Sequence, residues 1–262
     1  MYRKRVTAVD INRACTQIAV GNCVGEAMVI NSKSGGIIYN LPGVETELTM
    51  VRYLSSQSEY WIVGACWQGQ LVFWTKPNEQ NNYQINAVVR IGHRGDVFTI
   101  DCQQSYIVSG GVDGLVSVWN QFSGVMKYAI KLPEPKRDER VPKSSLMSPK
   151  GNSIMQMIQD KDDQSAIRKA SGQIRKAIIN AFFHPYYKNV AIVLQEGGNV
   201  HAVDVSNGQV VVEDICHVWP NSCWAVDEEC YKVLVVGEDG RATLFDMRMG
   251  APKNEELVEQ LT

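Results

Sequence analysis

Five stretches of the chain alternate apolar and polar positions, pause at a tight turn closed by glycine, and then resume the alternation. They are IAVGNCVGEAMVIN (18–31), WIVGACWQGQLVFWT (61–75), IVSGGVDGLVSVWN (107–120), AIVLQEGGNVHAVD (191–204) and VLVVGEDGRATLFD (233–246). Period two sends successive side chains to opposite faces of a strand, so each stretch predicts a hairpin rather than a helix. The turn glycines Gly25, Gly69, Gly114, Gly198 and Gly240 stand 44, 45, 84 and 42 residues apart. A propeller blade takes about 40–45 residues, so the long interval is two periods. Five residues after each glycine comes a large apolar position, Ile30, Trp74, Trp119, Val203 or Phe245, and then a small polar one. These five are the predicted blade anchors.

Further apolar runs flank the hairpins, upstream at 47–54, 97–102, 176–183 and 222–227 and downstream at 35–41, 84–89, 125–132 and 208–215. Four antiparallel strands per repeat make a propeller blade. The predicted fold is all-β, a propeller of about five four-stranded blades with one long insertion, incomplete or closed by a partner because an open array exposes strand edges. Residues 1–132 hold blades one to three and 176–250 blades four and five. The stretch 133–175 contains four of the nine prolines and the charged run Lys136-Arg137-Asp138-Glu139-Arg140, and it reads as an insertion with a helical second half. A decayed sixth blade is the competing account of it. Residues 251–262 read as a polar tail.

Composition narrows the chemistry. The 262 residues are 45% hydrophobic and 21% charged, enough to bury a sizeable core. A net charge of −2 gives no global field for nucleic acid or an anionic membrane. No apolar run approaches the roughly 20 residues that span a bilayer, and Met1-Tyr2-Arg3-Lys4-Arg5 leads into alternating sequence instead of a signal core. A soluble cytoplasmic protein is the expectation. The seven cysteines form no C-x-x-C pair, as reduced, buried thiols would. Cys216, His217, Cys223 and Cys230 recur at sevens, whereas zinc motifs pair ligands two to four residues apart. No metal and no cofactor is expected.

In the third repeat, Gly92-His93 is followed by Ser109, Asp113 and Trp119. In that order and spacing the repeat resembles the WD40 family, whose quartet of His, Ser, Asp and Trp is hydrogen-bonded inside the blade; the family's terminal Asp is Asn120 here. The resemblance implies that His93, Ser109, Asp113 and Trp119 form a buried structural relay. The other repeats lack the histidine, so apolar packing alone is expected to hold them. His93, Asp113 and Ser109 are also the residue types of a nucleophilic triad, but a triad serine needs exposure and an oxyanion hole, and a mid-strand serine is expected to be buried. No catalytic residue is assigned, and with no phosphate-cradling glycine motif no small-molecule substrate is expected.

From Tyr60-Trp61-Ile62-Val63-Gly64 through Gly92-His93-Arg94-Gly95-Asp96 to Ile107–Gly114 and a degenerate repeat after a charged insertion, the order is similar to that of the cilia- and flagella-associated WD-repeat proteins. That resemblance implies a non-catalytic scaffold binding tubulin or axonemal proteins in a multi-subunit complex of the cilium or flagellum. Two rivals are a peptide-binding adaptor of a ubiquitin ligase or signalling complex and an RNA-processing or ribosome-assembly subunit; the near-neutral charge disfavours the second. Candidate partner-binding residues are the basic groups Arg3, Lys4, Arg5, Lys136, Arg137 and Arg140, and the aromatics Tyr186 and Tyr187, placed at a blade junction.

Overall fold

The alternation is realised as strands throughout. The computed structural model describes residues 4–55, 57–79, 82–133, 176–196, 198–217, 223–227, 232–236 and 242–246. Arg3, Lys136, Arg137, Arg140, the stretch 134–175 and the tail 251–262 lie outside the described residues. The first sheet comprises β1 (Val6–Ile11), β2 (Gln17–Asn22), β3 (Ala27–Asn31) and β4 (Ile37–Leu41). The second comprises β5 (Leu48–Tyr53), β6 (Tyr60–Cys66), β7 (Gln70–Thr75) and β8 (Ala87–Ile91). The third holds β9 (Val97–Gln103), β10 (Tyr106–Gly111), β11 (Leu115–Asn120) and β12 (Met126–Lys131), and the fourth β13 (Ile178–Phe183), β14 (Val190–Gln195), β15 (Asn199–Asp204) and β16 (Gln209–His217). The fifth sheet has three strands among the described residues, β17 (Cys223–Asp227), β18 (Lys232–Val236) and β19 (Ala242–Asp246).

Within each sheet the strands follow chain order and neighbours are antiparallel. The first strands β1, β5, β9 and β13 pack successively against one another, so the first four sheets stack face to face in chain order, a blade-like propeller organisation. The first unit also has the inner strand, β1, that the sequence pattern did not mark. Among the described residues no helix is long and apolar enough to cross a membrane.

Strand register shows what fills the layers between sheets. Directly opposed residues share a face, and in the second sheet one such row is Tyr53, Ile62, Trp74 and Ala87. It packs on Ala8, Ala19, Val29 and Leu41 of the first sheet. The equivalent row of the third sheet, Cys102, Ile107, Trp119 and Met126, contributes Cys102, Ile107 and Trp119 to the layer with Val63, Leu71 and Phe73 of the second. The fourth sheet presents Phe183, Ala191, Val203 and Val210 to Val108, Val116 and Val118 of the third. Each isoleucine or valine buried this way contributes about 1.5–3 kcal/mol, and none of these sheets buries both faces without a neighbour.

Apolar packing is not alone, which corrects the sequence expectation. Thr7 Oγ1 donates to the Leu48 carbonyl at 2.5 Å and Thr49 Oγ1 to the Val97 carbonyl at 2.6 Å, each bond crossing from one inner strand to the next. Thr99 Oγ1 donates to the Ala181 carbonyl and accepts from its amide, at 3.3 and 3.2 Å. Asp10 accepts from the Tyr53 amide and Asp101 from the Phe183 amide, both at 2.8 Å. Arg52 lies 3.8 Å from Asp10 on one side and from Asp101 on the other, spanning three sheets. Burial pushes the Asp10 carboxyl above its ordinary value, although the Tyr53 amide and Arg52 pull it down.

The turn glycines have a second duty beyond their left-handed backbone. Gly25, Gly69 and Gly114 have φ of 81°, 78° and 74°, and each lies beneath the segment that leads into the following sheet. The Gly69 carbonyl accepts from the Gly92 and His93 amides, and a Cβ on Gly69 would stand 2.0 Å from the His93 carbonyl oxygen. Gly69→Ala therefore combines positive-φ strain with a backbone clash, and urea denaturation is expected to show a loss of at least about 2 kcal/mol; Gly35→Ala, which meets nothing within 4 Å, should lose only the φ cost of about 1 kcal/mol. Equal losses at the two positions would refute the packing role.

Candidate functional site

The residues with the most chemistry gather on the face of the third sheet that meets the second. His93 lies in the loop between β8 and β9, Ser109 on β10, Asp113 in the turn between β10 and β11, and Trp119 on β11. Trp119 Nε1 donates to Ser109 Oγ at 2.9 Å, and Ser109 Oγ lies 2.8 Å from His93 Nε2. His93 Nδ1 lies 3.1 Å from Asp113 Oδ1. One assignment of protons satisfies every member: indole N–H to serine, serine O–H to His93 Nε2, and His93 Nδ1–H to the carboxylate.

Backbone groups complete the relay. The Arg94 amide donates to Asp113 Oδ2 at 2.9 Å and the Leu115 amide to Oδ1 at 3.1 Å. Burial pushes the Asp113 carboxyl up, but the His93 hydrogen bond and these two amides outweigh it and hold the group below its ordinary value. Ser117 Oγ donates to the Gly92 carbonyl at 3.2 Å, and a Cβ on Gly92 would lie 2.2 Å from Cζ2 of Trp119. The glycine before His93 is thus the seat of the indole. Sequence spacing revealed the four side chains but not Ser117 or the two amides, which have no residue-type signature.

The arrangement has the types of a nucleophilic triad without its geometry. Ser109 is 0% exposed, its hydroxyl is engaged on both sides, and the histidine's carboxylate partner is itself tied to the turn. Such a closed network fixes geometry. Two cysteines are held as thiols: burial pushes Cys66 up to about 12 and raises Cys102 well above its ordinary value, where the thiolate is scarce; Cys15 is exposed and Cys23 half-buried, which corrects the expectation of buried thiols. Among the described residues no group of three His, Cys, Asp or Glu side chains is placed to hold a metal ion; Cys230 and the side chains of Cys216, His217 and Cys223 lie outside them.

The other anchors divide. Trp74 is buried and donates from Nε1 to the Pro42 carbonyl at 2.9 Å, and Val203 is buried between sheets. Ile30 is only half-buried, and Phe245 sits opposite Val233 in register with its side chain outside the described residues. Lys4 pairs with Glu26 and Arg5 with Glu47, so these two cations meet carboxylates of the chain itself.

Tyr186 and Tyr187 do not lie at a junction between sheets. They occupy the turn between β13 and β14, inside the fourth sheet, and both are about half exposed. His184 Nδ1 accepts from both of their amides at 3.0 Å. The His184 ring packs on Tyr187, and Tyr187 meets Tyr186 edge to face, with centroids 4.9 and 5.0 Å apart. Two aromatic faces are thereby held rigid at the surface, the arrangement that binds at low entropic cost. Burial holds His184 below its ordinary value of 6.5.

No family model matches the chain, and no curated protein matches it in sequence. The class is therefore given by architecture alone, an all-β array of blade-like sheets with a saturated polar relay in the third.

Ser109→Ala leaves the Trp119 N–H and His93 Nε2 without partners, and a stability loss of about 1–3 kcal/mol is expected in urea denaturation; an unchanged midpoint would refute the relay. For His184 the folded value is depressed, so between it and 6.5 the unfolded chain binds the proton that the folded chain excludes. Its contribution is complete above about pH 6.5 and is lost as pH falls through the folded value. Tm of the wild type should drop more between about pH 7 and pH 5 than Tm of His184→Asn, which keeps an acceptor without a titrating ring. Parallel pH profiles would remove this role.

Proposed function

We propose that this chain is a non-catalytic scaffold of the WD-repeat kind that joins other proteins in a large assembly, and that the assembly is the microtubule-based axoneme of a cilium or flagellum. The scaffold reading draws its support from a division of labour among the described residues. Ser109, His93 and Asp113 are sealed and saturated in the relay, whereas the tyrosine pair faces outward. The WD-repeat kinship is supported by the order and spacing of His93, Ser109, Asp113 and Trp119 in a four-stranded blade-like sheet. The axonemal reading draws on the sequence order from Tyr60 through Gly114 to the degenerate fourth repeat.

The observation that carries the reading is the turn of Tyr186 and Tyr187, locked by His184. A preorganised aromatic pair loses little freedom on docking, and burying it supplies the few kcal/mol typical of an interface hot spot. Co-sedimentation with microtubules and with salt-stripped axonemes tests the proposal. The wild type is expected in the pellet, and the Tyr186→Ala/Tyr187→Ala chain is expected to bind about tenfold or more weakly. Wild-type protein left in both supernatants, or a double variant that binds as tightly as the wild type, overturns it. Retention on RNA that falls steeply with salt would favour the rival RNA-processing role.

A further inference from the structure

The row that each sheet offers to its predecessor has an unpaired counterpart at the start of the array. In the first sheet, register places Ile11, Ile18, Ile30 and Ile37 directly opposite one another across all four strands. This is the position that Tyr53, Ile62, Trp74 and Ala87 occupy in the second sheet and that Trp119 and Val203 anchor in the third and fourth. In those sheets the row is covered by the sheet before it, and Trp74 and Trp119 are 0% and 1% exposed. In the first sheet the row looks outward. Ile11 is 48% and Ile37 59% exposed, and Val9, one row along on the same face, is 59% exposed. A contiguous aliphatic face without a charge among these side chains is an interaction surface by its chemistry.

The other end of the array carries the matching half. In each internal layer the anchor row meets the forward face of the preceding sheet, built from the adjacent row: Ala19 and Val29 in the first, Val63 and Phe73 in the second, Val108 and Val118 in the third. The fifth sheet has the same row, Ala225, Leu234 and Leu244, and there it is uncovered, with Leu234 39% and Leu244 47% exposed. Val233 and Val235, on the opposite face, are buried against the fourth sheet. The two ends are thus unlike and complementary, the halves of an interface already formed between successive sheets inside the chain.

We infer that copies of this chain associate head to tail, the Leu234 and Leu244 face of one copy seated on the isoleucine row of the next. The contact is heterologous, since different surfaces meet, so each copy retains one donor and one acceptor end. It continues the internal sheet-on-sheet packing and asks for no new kind of contact. The inference rests on packing alone and stands apart from the axonemal reading.

Sedimentation velocity over a hundredfold range of concentration tests it. The wild-type average mass should climb with concentration. Ile11→Lys and Leu244→Lys each place a charge in the contact and should weaken association at least about thirtyfold, leaving each variant alone monomeric. An equimolar mixture of the two should form a one-to-one dimer that does not grow, because one intact donor end and one intact acceptor end remain. Both positions are exposed within a single copy, so Tm should match the wild type; where either variant fails to fold, Ile37→Lys or Leu234→Lys takes its place. A wild type monomeric throughout, as when another part of the chain covers the face, overturns the inference. So does a dimer retained by Ile11→Lys or Leu244→Lys alone, which indicates a symmetric contact.

Discussion

Sheet face against sheet face is the interaction on which this architecture depends. A strand with period two has two sides, and in the second, third and fourth sheets both sides are apolar. A single four-stranded sheet of that kind is insoluble in its own terms, since half of its apolar surface stays in water until another sheet covers it. Stacking solves this for every internal sheet and for none at an end. The stability of any one blade is therefore a property of its neighbours, and the wide side chains Trp74 and Trp119 matter because they fill the layer from one side only. Gly64 and Gly92 lie under those indoles, where a Cβ would stand 3.0 and 2.2 Å from the ring.

Dispersion and hydrophobic burial are non-directional, so they bring sheets together without fixing how far one slides over the next. Directional bonds supply that. The inner-strand threonines and aspartates bind backbone groups of the next inner strand, and a slip by one residue would leave each of them facing the wrong pleat. The relay does the same within the third sheet, tying the loop before it, its central strands and its turn to one hydroxyl. Arg52 adds a weaker, charge-based tie across three sheets. Its distance of 3.8 Å to each carboxylate and its partial exposure keep that contribution within the range of about 0–1 kcal/mol for such pairs.

What could be read in the sequence followed from locality. Hairpins announce themselves because both strands and the glycine turn fall within fifteen residues, and the relay was visible because His93, Ser109, Asp113 and Trp119 sit inside one repeat. The inner strand β1 escaped the pattern because only Ala8 of its six residues VTAVDI is buried, too little apolar content to stand out as a core strand. The threonine and aspartate ties were invisible for another reason: each joins positions some 40 to 80 residues apart, and its acceptor or donor is backbone, which any residue provides. The tyrosine turn was misplaced between sheets because a connection of six residues from Phe183 to Val190 is as long as the links that join sheets elsewhere. That His184 holds the turn through one ring nitrogen is a fact of geometry with no counterpart in spacing.

The same reasoning bears on the seam between the third and fourth sheets. Six residues separate β4 from β5 and five separate β8 from β9, whereas forty-six separate β12 from β13. By residue number alone, a flexible link of the longer length would cost roughly 2 kcal/mol more in closure entropy than the shorter ones. At this seam Thr99 makes a donor and acceptor pair with Ala181, Asp101 holds the Phe183 amide, and Ile178 lies against Gly110, where a Cβ would stand 2.3 Å from its methyl group. Two or three such bonds at about 1 kcal/mol each are of the same size. The relay lies on the opposite face of the same third sheet, so the sheet is pinned on both sides of the point where the chain departs. The strands that meet at this seam are thus tied by side chains to each other's backbone, whatever the number of residues between them in the chain.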